Sequence, residues 1–506
     1  MVDIYKKMDF HKVSIFVFVF LSFLMLSLSI RSNTLLIDIP LTEDGYYLLS
    51  VSRNIALGRG LTVDGTHLTN GFQPLFAVLL SPIYMIFGGD RYESLRGVIV
   101  VHWAFHILTS LLVAKIARDI INDCSLRGSN VVFWIAAFIW LASRYVILNN
   151  YNGLETGILL FLYALSWRIY QMHWLNGWRL MILGFVLGLL VLSRIDSAIF
   201  VATLSFYELF LRKSINLNQR LIRFVALSFI PLVISLPWWM YNFFVFKSLI
   251  PSSSTAQLSA FSYLRVFPWI QALLQVLVPY VQIRWIEGPI QSIIQLIISV
   301  SIVRFFLVNR SKLKQNENVT FFGFALFSSM IIISVYYLLF SGASHFYGRY
   351  FTPLMLLSVV LTAIFISQIN IDKIRIVCIL FSLYLVFVAT FSVIGWHFQV
   401  GVSKSPFYFD QLTLINKFAP PPHEIVGAGQ SGTIGYFRDN VVNLDGKVNI
   451  DAIIYRNNMQ EYLRRQNIIW YCDWDSKYLG VNPEMNGWFI VEKKGAFTLY
   501  HFGKLR

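Results

Sequence analysis

Long apolar runs separated by short polar breaks organise most of this chain. Runs of membrane length predict spans near 13–31, 95–116, 130–148, 156–171, 178–193, 197–211, 222–246, 289–308, 320–341, 350–369 and 374–395. Two further apolar stretches, 74–87 (PLFAVLLSPIYMIF) and 266–283, are placed at the outer surface, the first because it is too short to cross hydrocarbon. From Trp396 onward the pattern changes. Short runs such as EIVGAG, VVNL, IIWYC and WFIVE alternate with glycine-rich turns and a helical stretch at 451–465, which predicts a small α/β unit. The expected fold is thus a polytopic α-helical membrane protein with about 11 transmembrane helices over 1–395. It has a large first outer loop bearing juxtamembrane helices and a small C-terminal α/β domain over 396–506.

Composition agrees. The 506 residues are 57% hydrophobic and only 13% charged, far from the roughly one quarter of a soluble domain. The net charge of +15 does not require a nucleic-acid partner, because basic residues cluster in short connections between apolar runs, as cytoplasmic loops do. Lys115, Arg118 and Arg127, then Arg212, Lys213, Arg220 and Arg223, then Arg310, Lys312 and Lys314, and finally Lys373 and Arg375 fall where eleven spans from an inside N-terminus put the inner face. The tail is then outside. The first run lacks a small-x-small cleavage site and reads as an uncleaved span. Cys124, Cys378 and Cys472 are spaced for neither a disulfide framework nor a zinc site.

On this topology the polar groups that look misplaced collect on the outer face. Glu43 and Asp44 follow the first span, with Arg53, His67 and Asn70 nearby. Later outer turns add Glu155 (NNYNGLET), Arg194 and Asp196 (LSRIDSA), and His345 and Arg349 (SGASHFYGRY). Ionisable residues at membrane ends mark substrate paths when they are not simply paired. Each has two readings. In TEDGYYLLSVSRNIALGRG, Tyr47, Leu48, Val51 and Ile55 share a helical face, Thr42 caps the start, and Gly58 and Gly60 end it. The two acids either complement the helix dipole or supply a carboxylate able to take a proton from a hydroxyl. Arg194 with Asp196 is a buried pair or a phosphate fork, Arg349 an interfacial anchor or a phosphate fork, and Glu155 a helix cap or a site residue.

The stretch EDGYYLLSVSRNIALGRGLTVDGTHLTNGFQPLF, followed in order by NGLET, SRID, GRYFTP and GAGQSGTIGYF…VVNLDGKVN, resembles the GT-C glycosyltransferases. These are membrane enzymes that use polyprenyl-phosphate sugars, such as the arabinofuranosyl-, mannosyl- and aminoarabinosyltransferases. The resemblance implies an inverting glycosyltransferase in a bacterial inner membrane, with a cytoplasmic N-terminus and a periplasmic tail. It would move a sugar from a polyprenyl-phosphate carrier to a glycan or lipid acceptor. Asp44 aligns with the family's catalytic aspartate, with Glu43 beside it. Arg349, Arg194 and Arg53 are the implied ligands of the donor phosphate, and Glu155, Asp196, His345 and Asn70 would shape the substrate site. Gly45 stands where some members keep a second acid, and Ile195 where relatives tend to have proline. Some relatives use a divalent cation, for which Asp44, Glu155 and Asp196 offer oxygen donors; the sequence leaves this cofactor open. The rival expectation is a transporter or flippase of lipid-linked sugars, which should show paired half-repeats and mid-membrane charges. A third is a non-catalytic scaffold.

Overall fold

The computed structural model describes residues 10–126, 128–172, 177–282, 288–308, 317–368, 371–398, 407–418 and 424–503. Arg127, Arg310, Lys312 and Lys314 lie outside the described residues.

The chain is a multi-pass helical membrane protein with a small C-terminal sheet. Among the described residues, six helices are long and apolar enough to cross a membrane: His11–Ile30, Arg91–Asp123, Leu217–Phe246, Pro289–Val308, Glu317–Phe340 and Leu380–Phe398. Two more expected spans are bent pairs. Ser129–Ala142 meets Arg144–Asn150 at 60°, and Ser344–Tyr350 meets Leu354–Ser367 at 59°. The remaining three expected spans, at 156–171, 178–193 and 197–211, are the shorter apolar helices Thr156–Tyr170, Gly177–Ser193 and Ser197–Leu211. At ~1.5 Å per residue none of these spans a ~30 Å hydrocarbon layer on its own. Among the described residues, length and composition thus support six to eight spans, and the expected eleven are not confirmed. The stretch at 266–283 forms only the 12-residue helix Val266–Leu277, and 74–87 forms Pro74–Ile86.

The apolar faces of these helices merge into one core. Toward one end a buried network closes it: Glu208 lies 2.6 Å from Arg212 and 3.6 Å from Arg223, two of the basic residues expected in an inner loop. Burial of that carboxylate is tolerated because two guanidiniums face it.

Five strands form one sheet in the order β2-β1-β3-β5-β4: β1 (Ile425–Ala428), β2 (Val441–Asn443), β3 (Ile468–Asp473), β4 (Trp488–Lys494) and β5 (Phe497–Phe502). Four of them coincide with the predicted runs; β5, in FTLYHF, has a weaker pattern and completes a hairpin with β4. β1 pairs in parallel with β2 and β3, with Val426 opposite Val441 and Gly427 opposite Tyr471. The carboxyl ends of these three strands therefore open on one edge. That edge meets the helix Glu43–Ala56. Tyr47 Oη donates to the Gly429 carbonyl after β1 at 3.3 Å, and Asn443 Nδ2 at the end of β2 donates to Tyr47 Oη at 3.2 Å. Asp473, at the end of β3, accepts from the Gly429 amide at 2.6 Å and so fixes the same loop.

The helix Glu43–Ala56 starts where predicted: Thr42 Oγ1 accepts from the Gly45 amide at 3.3 Å. It is buried on more than the expected face. Of the expected face, Tyr47, Leu48 and Val51 are buried and Ile55 half-buried, and Tyr46, Leu49, Ser50 and Ser52 are buried too. The sheet edge covers what an isolated outer loop would leave in water.

Candidate active site

A cavity of about 430 Å³ opens where several helix ends meet this helix and the sheet edge. It is lined by Asp44 and by Leu154 and Glu155 before Thr156–Tyr170. It is also lined by Arg194, Ile195 and Asp196 between two short helices, by the ends of Leu217–Phe246 and Glu317–Phe340, and by Arg349, Tyr350 and Lys447. The volume suits a small ligand or a lipid headgroup. Ionisable groups from segments up to 403 positions apart thus face one space.

Asp44 is the centre of the arrangement. Its Oδ2 lies 3.2 Å from Arg349 Nη1 and its Oδ1 lies 3.2 Å from Lys447 Nζ. Burial pushes this carboxyl up, but the nearby charges of Lys447 and Arg349, with hydrogen bonds from both, hold it net below the usual carboxylate range. Asp44 is consequently ionised at neutral pH.

Arg194 is 4% exposed, and Nη2 is 2.6 Å from Asp196 Oδ2. Its guanidinium also donates to the carbonyls of Arg349 and Tyr350 at 3.3 and 3.4 Å. Tyr337 Oη donates to Asp196 at 3.2 Å, and the Tyr337 and Tyr350 rings stack with centroids 3.9 Å apart, tilted by only 6°. Arg194 and Arg349 both lie over the Tyr350 ring, at 5.1 and 5.2 Å. Two guanidiniums are therefore held side by side without pairing to one another's carboxylate. Arg349 is a cavity residue bonded to Asp44, not an interfacial anchor.

Glu155 is 6% exposed and makes no capping bond to the helix that follows it, although capping was one reading of its position. It lines the cavity instead. Burial raises its carboxyl above the ordinary value, against the attraction of Arg349 and Arg194.

The other expected site residues stand elsewhere. Glu43, 5% exposed, points away from the cavity into the start of helix Gly432–Phe437. It accepts from the amides of Gly432 and Thr433, the latter at 3.0 Å, and from the Thr433 hydroxyl at 2.5 Å. Arg53 is also displaced from the expected phosphate set. It donates to the Gly89 carbonyl at 3.0 Å and pairs with Asp439 at 2.9 Å, where Arg91 and Arg59 converge at 2.6 and 3.2 Å. It ties the segment after the first helix to the tail. Asn70 lies behind the cavity wall, its Oδ1 accepting from the Ser252 amide at 3.0 Å. His345 is exposed, with its ring against Phe346 at 4.0 Å. Gly45 leaves no room for an acid, because a Cβ there would overlap the Asn152 carbonyl oxygen.

Lys447 was not singled out from the sequence, although it stands in the quoted VVNLDGKVN. Its signal is a strand followed by an Asp-Gly turn, with Gly446 at φ +86°, which places the next side chain at the carboxyl end of a parallel sheet. Tyr337 and Tyr350 were missed because an aromatic in a span usually reads as core.

Asp44, Glu155 and Asp196 do not fit a metal site in this arrangement. Asp44 is taken by two cations and Asp196 by Arg194, and among the described residues no three His, Cys, Asp or Glu side chains converge closely enough to hold an ion.

Glu43 has a measurable consequence. Burial raises its carboxyl to about 7 from an ordinary 4.5, against the hydrogen bonds from Thr433 and Gly432 and with help from the charge of Asp44. A folded carboxyl that binds its proton more tightly than the unfolded one contributes fully below pH 4.5, and that contribution is lost as pH rises through 7. Tm is therefore expected to fall between about pH 4.5 and pH 7, with a flatter profile in Glu43→Gln. Parallel profiles for the two proteins would remove Glu43 from this role.

No family model matches the chain, and no curated protein matches it in sequence. Solved structures do match. ArnT from Cupriavidus metallidurans in its apo state superposes with a TM-score of 0.63 at 10% identity, covering 98% of this chain and 100% of that one. The same protein bound to undecaprenyl phosphate gives 0.65 at 9% identity, covering 97% and 99%. The archaeal oligosaccharyltransferase AglB from Archaeoglobus fulgidus, in complex with an inhibitory peptide and a dolichol-phosphate, gives 0.52 at 12% identity, covering 98% of this chain and 75% of that one. The GT-C resemblance read from the motifs is met at the level of fold: over almost its whole length, this chain has the fold of ArnT.

Proposed function

We propose that the chain is an inverting glycosyltransferase that takes a sugar from a polyprenyl-phosphate carrier and transfers it to an acceptor hydroxyl at the outer face of the membrane. One observation carries this reading: a carboxylate, Asp44, paired with Arg349, and a second guanidinium, Arg194, line a single cavity at the helix ends. The two neighbours whose structures hold undecaprenyl phosphate and dolichol-phosphate share the fold, which supports a polyprenyl phosphate as the donor's lipid part.

The residues suit the chemistry. The acceptor hydroxyl donates to Asp44 and gives up its proton as its oxygen attacks the anomeric carbon from the face opposite the phosphate. The bond from that carbon to the phosphate oxygen breaks, the electron pair leaves with the lipid phosphate, and the configuration inverts. Charge builds on the departing phosphate oxygens, where planar guanidiniums match it best. Asp196 and Tyr350 fix Arg194 in place and so spare the reaction the cost of ordering it. Glu155, attracted by Arg349 and Arg194, lines the space where the sugar would sit. The strand-bearing tail, read as the second domain, closes the acceptor side.

Arg349→Ala tests the assignment. Charge-assisted hydrogen bonds contribute about 1.5–3 kcal/mol each, so affinity for undecaprenyl phosphate, measured by titration in detergent, is expected to fall about 10- to 150-fold. Unchanged affinity would place the phosphate elsewhere.

A further inference from the structure

The two oxygens of Asp44 have separate cations, and those cations are held very differently. Lys447 belongs to the loop after β2, and its main chain is clamped on every side. Ser252 Oγ donates to its carbonyl at 2.9 Å, its amide donates to Asp445 at 2.8 Å, and Gly71 presses so closely on the same carbonyl that no Cβ fits there. Its Nζ is further held by Asp445 at 3.4 Å. Arg349 is freer. Among the described residues its guanidinium rests on the Phe346 and Tyr350 rings at 4.7 and 5.2 Å and bonds to Asp44 and, at 3.4 Å, to Tyr350 Oη, while its carbonyl accepts from Arg194 and Thr352. A guanidinium on aromatic faces can pivot toward a phosphate, which offers it a bidentate partner. The Lys447 ammonium sits between two carboxylates, Asp44 and Asp445, on a hydrogen-bonded backbone, so leaving Asp44 for a phosphate costs it more.

We propose that Lys447 is the positioning residue for the base: it stays with Asp44 when Arg349 turns to the donor phosphate, so the carboxylate keeps one ion pair throughout the reaction. This rests on the glycosyltransferase reading above. With both cations in place the carboxylate is a weak base; with neither, it would be a bare buried charge beside Glu43. One fixed cation gives the intermediate case, and donor arrival itself makes Asp44 a stronger base. The groups facing Asp44 are Arg349 and His345 from the segment 344–350, Lys447 and Asp445 from the loop after β2, and Glu43 and Tyr47 from its own helix. Glu155 and Arg194 lie across the cavity. Of these, only Arg349 and Lys447 bond to it directly.

The test reads Asp44 itself. Carbodiimide labelling of protonated carboxyls, followed by mass spectrometry across a pH series, gives the titration midpoint of Asp44 in the full-length protein, with and without undecaprenyl phosphate. Removing a cation raises that midpoint. Lys447→Met, which keeps the length but not the charge, is expected to raise it by about one pH unit or more without lipid. Lys447→Arg should restore it. Undecaprenyl phosphate should raise the wild-type midpoint, while Lys447→Met binds the lipid nearly as well as wild type. An unchanged midpoint in Lys447→Met, or a loss of lipid affinity matching that of Arg349→Ala, would overturn the proposal, the latter by making Lys447 a phosphate ligand. If wild type fails to bind the lipid, or Arg349→Ala binds it as well as wild type does, the functional reading fails instead. The lipid-free midpoints still decide whether Lys447 governs the base.

Discussion

Asp44→Asn is expected to lower sugar transfer by about 10²- to 10⁴-fold while leaving the fold intact. The amide matches the carboxylate in size and can still accept from one cation, so Thr42, Gly45 and the helix start are undisturbed. What goes is the site that accepts the hydroxyl proton, together with one negative charge between Arg349 and Lys447. Arg349, no longer neutralised, should hold a lipid phosphate at least as tightly as before. The signature is therefore a split: turnover lost, undecaprenyl phosphate affinity kept or improved. Turnover within tenfold of wild type would remove Asp44 as the base.

Asp196→Ala is the second large effect, and it acts on the fold. Arg194 is almost wholly buried, and Asp196 is the one carboxylate within ion-pair distance of it among the described residues. Removing one partner of a buried pair costs about 3–5 kcal/mol, because the other charge stays without compensation. The carbonyls of Arg349 and Tyr350 accept from the guanidinium but carry no net charge. Tyr337 also loses its acceptor, loosening its stack on Tyr350. A marked fall in Tm is expected in Asp196→Ala and a smaller one in Asp196→Asn, which keeps an acceptor oxygen. A Tm equal to wild type in Asp196→Ala would mean that the pair is not a structural element of the cavity.

What the sequence made legible was local. Thr42 as cap, the helix that follows it, four of five strands, and the short Arg194–Asp196 spacing are all set within a few residues, and all appear in the structure. The identity of the lining followed from topology, since Asp44, Glu155, Arg194, Asp196 and Arg349 all come from breaks assigned to one face. What was not legible depends on distant partners. Glu43 and Asp44 are adjacent in sequence, yet one meets Gly432 and Thr433 while the other meets Arg349 and Lys447. No spacing rule reports which acid turns which way. Arg53 looked like a phosphate ligand because Asp439 lies 386 positions away. The span count is not confirmed for a different reason: short apolar helices buried among others have the same hydropathy as spans, and only their length separates them.

The docking of the sheet edge on the helix Glu43–Ala56 also sets a clock. Glu43 meets partners 389 and 390 positions later and Asp44 meets one 403 positions later. At about 5–20 residues per second, the ribosome needs roughly 20–80 s to make that intervening chain. Throughout this interval the acid pair is already made, while the cation that steadies Asp44 and the amides that bury Glu43 do not yet exist. The preceding helices are made first, but the cavity has no tail-side wall until Gly432, Thr433 and Lys447 have been added. Assembly of this site waits on residues made 389 to 403 positions after the acid pair.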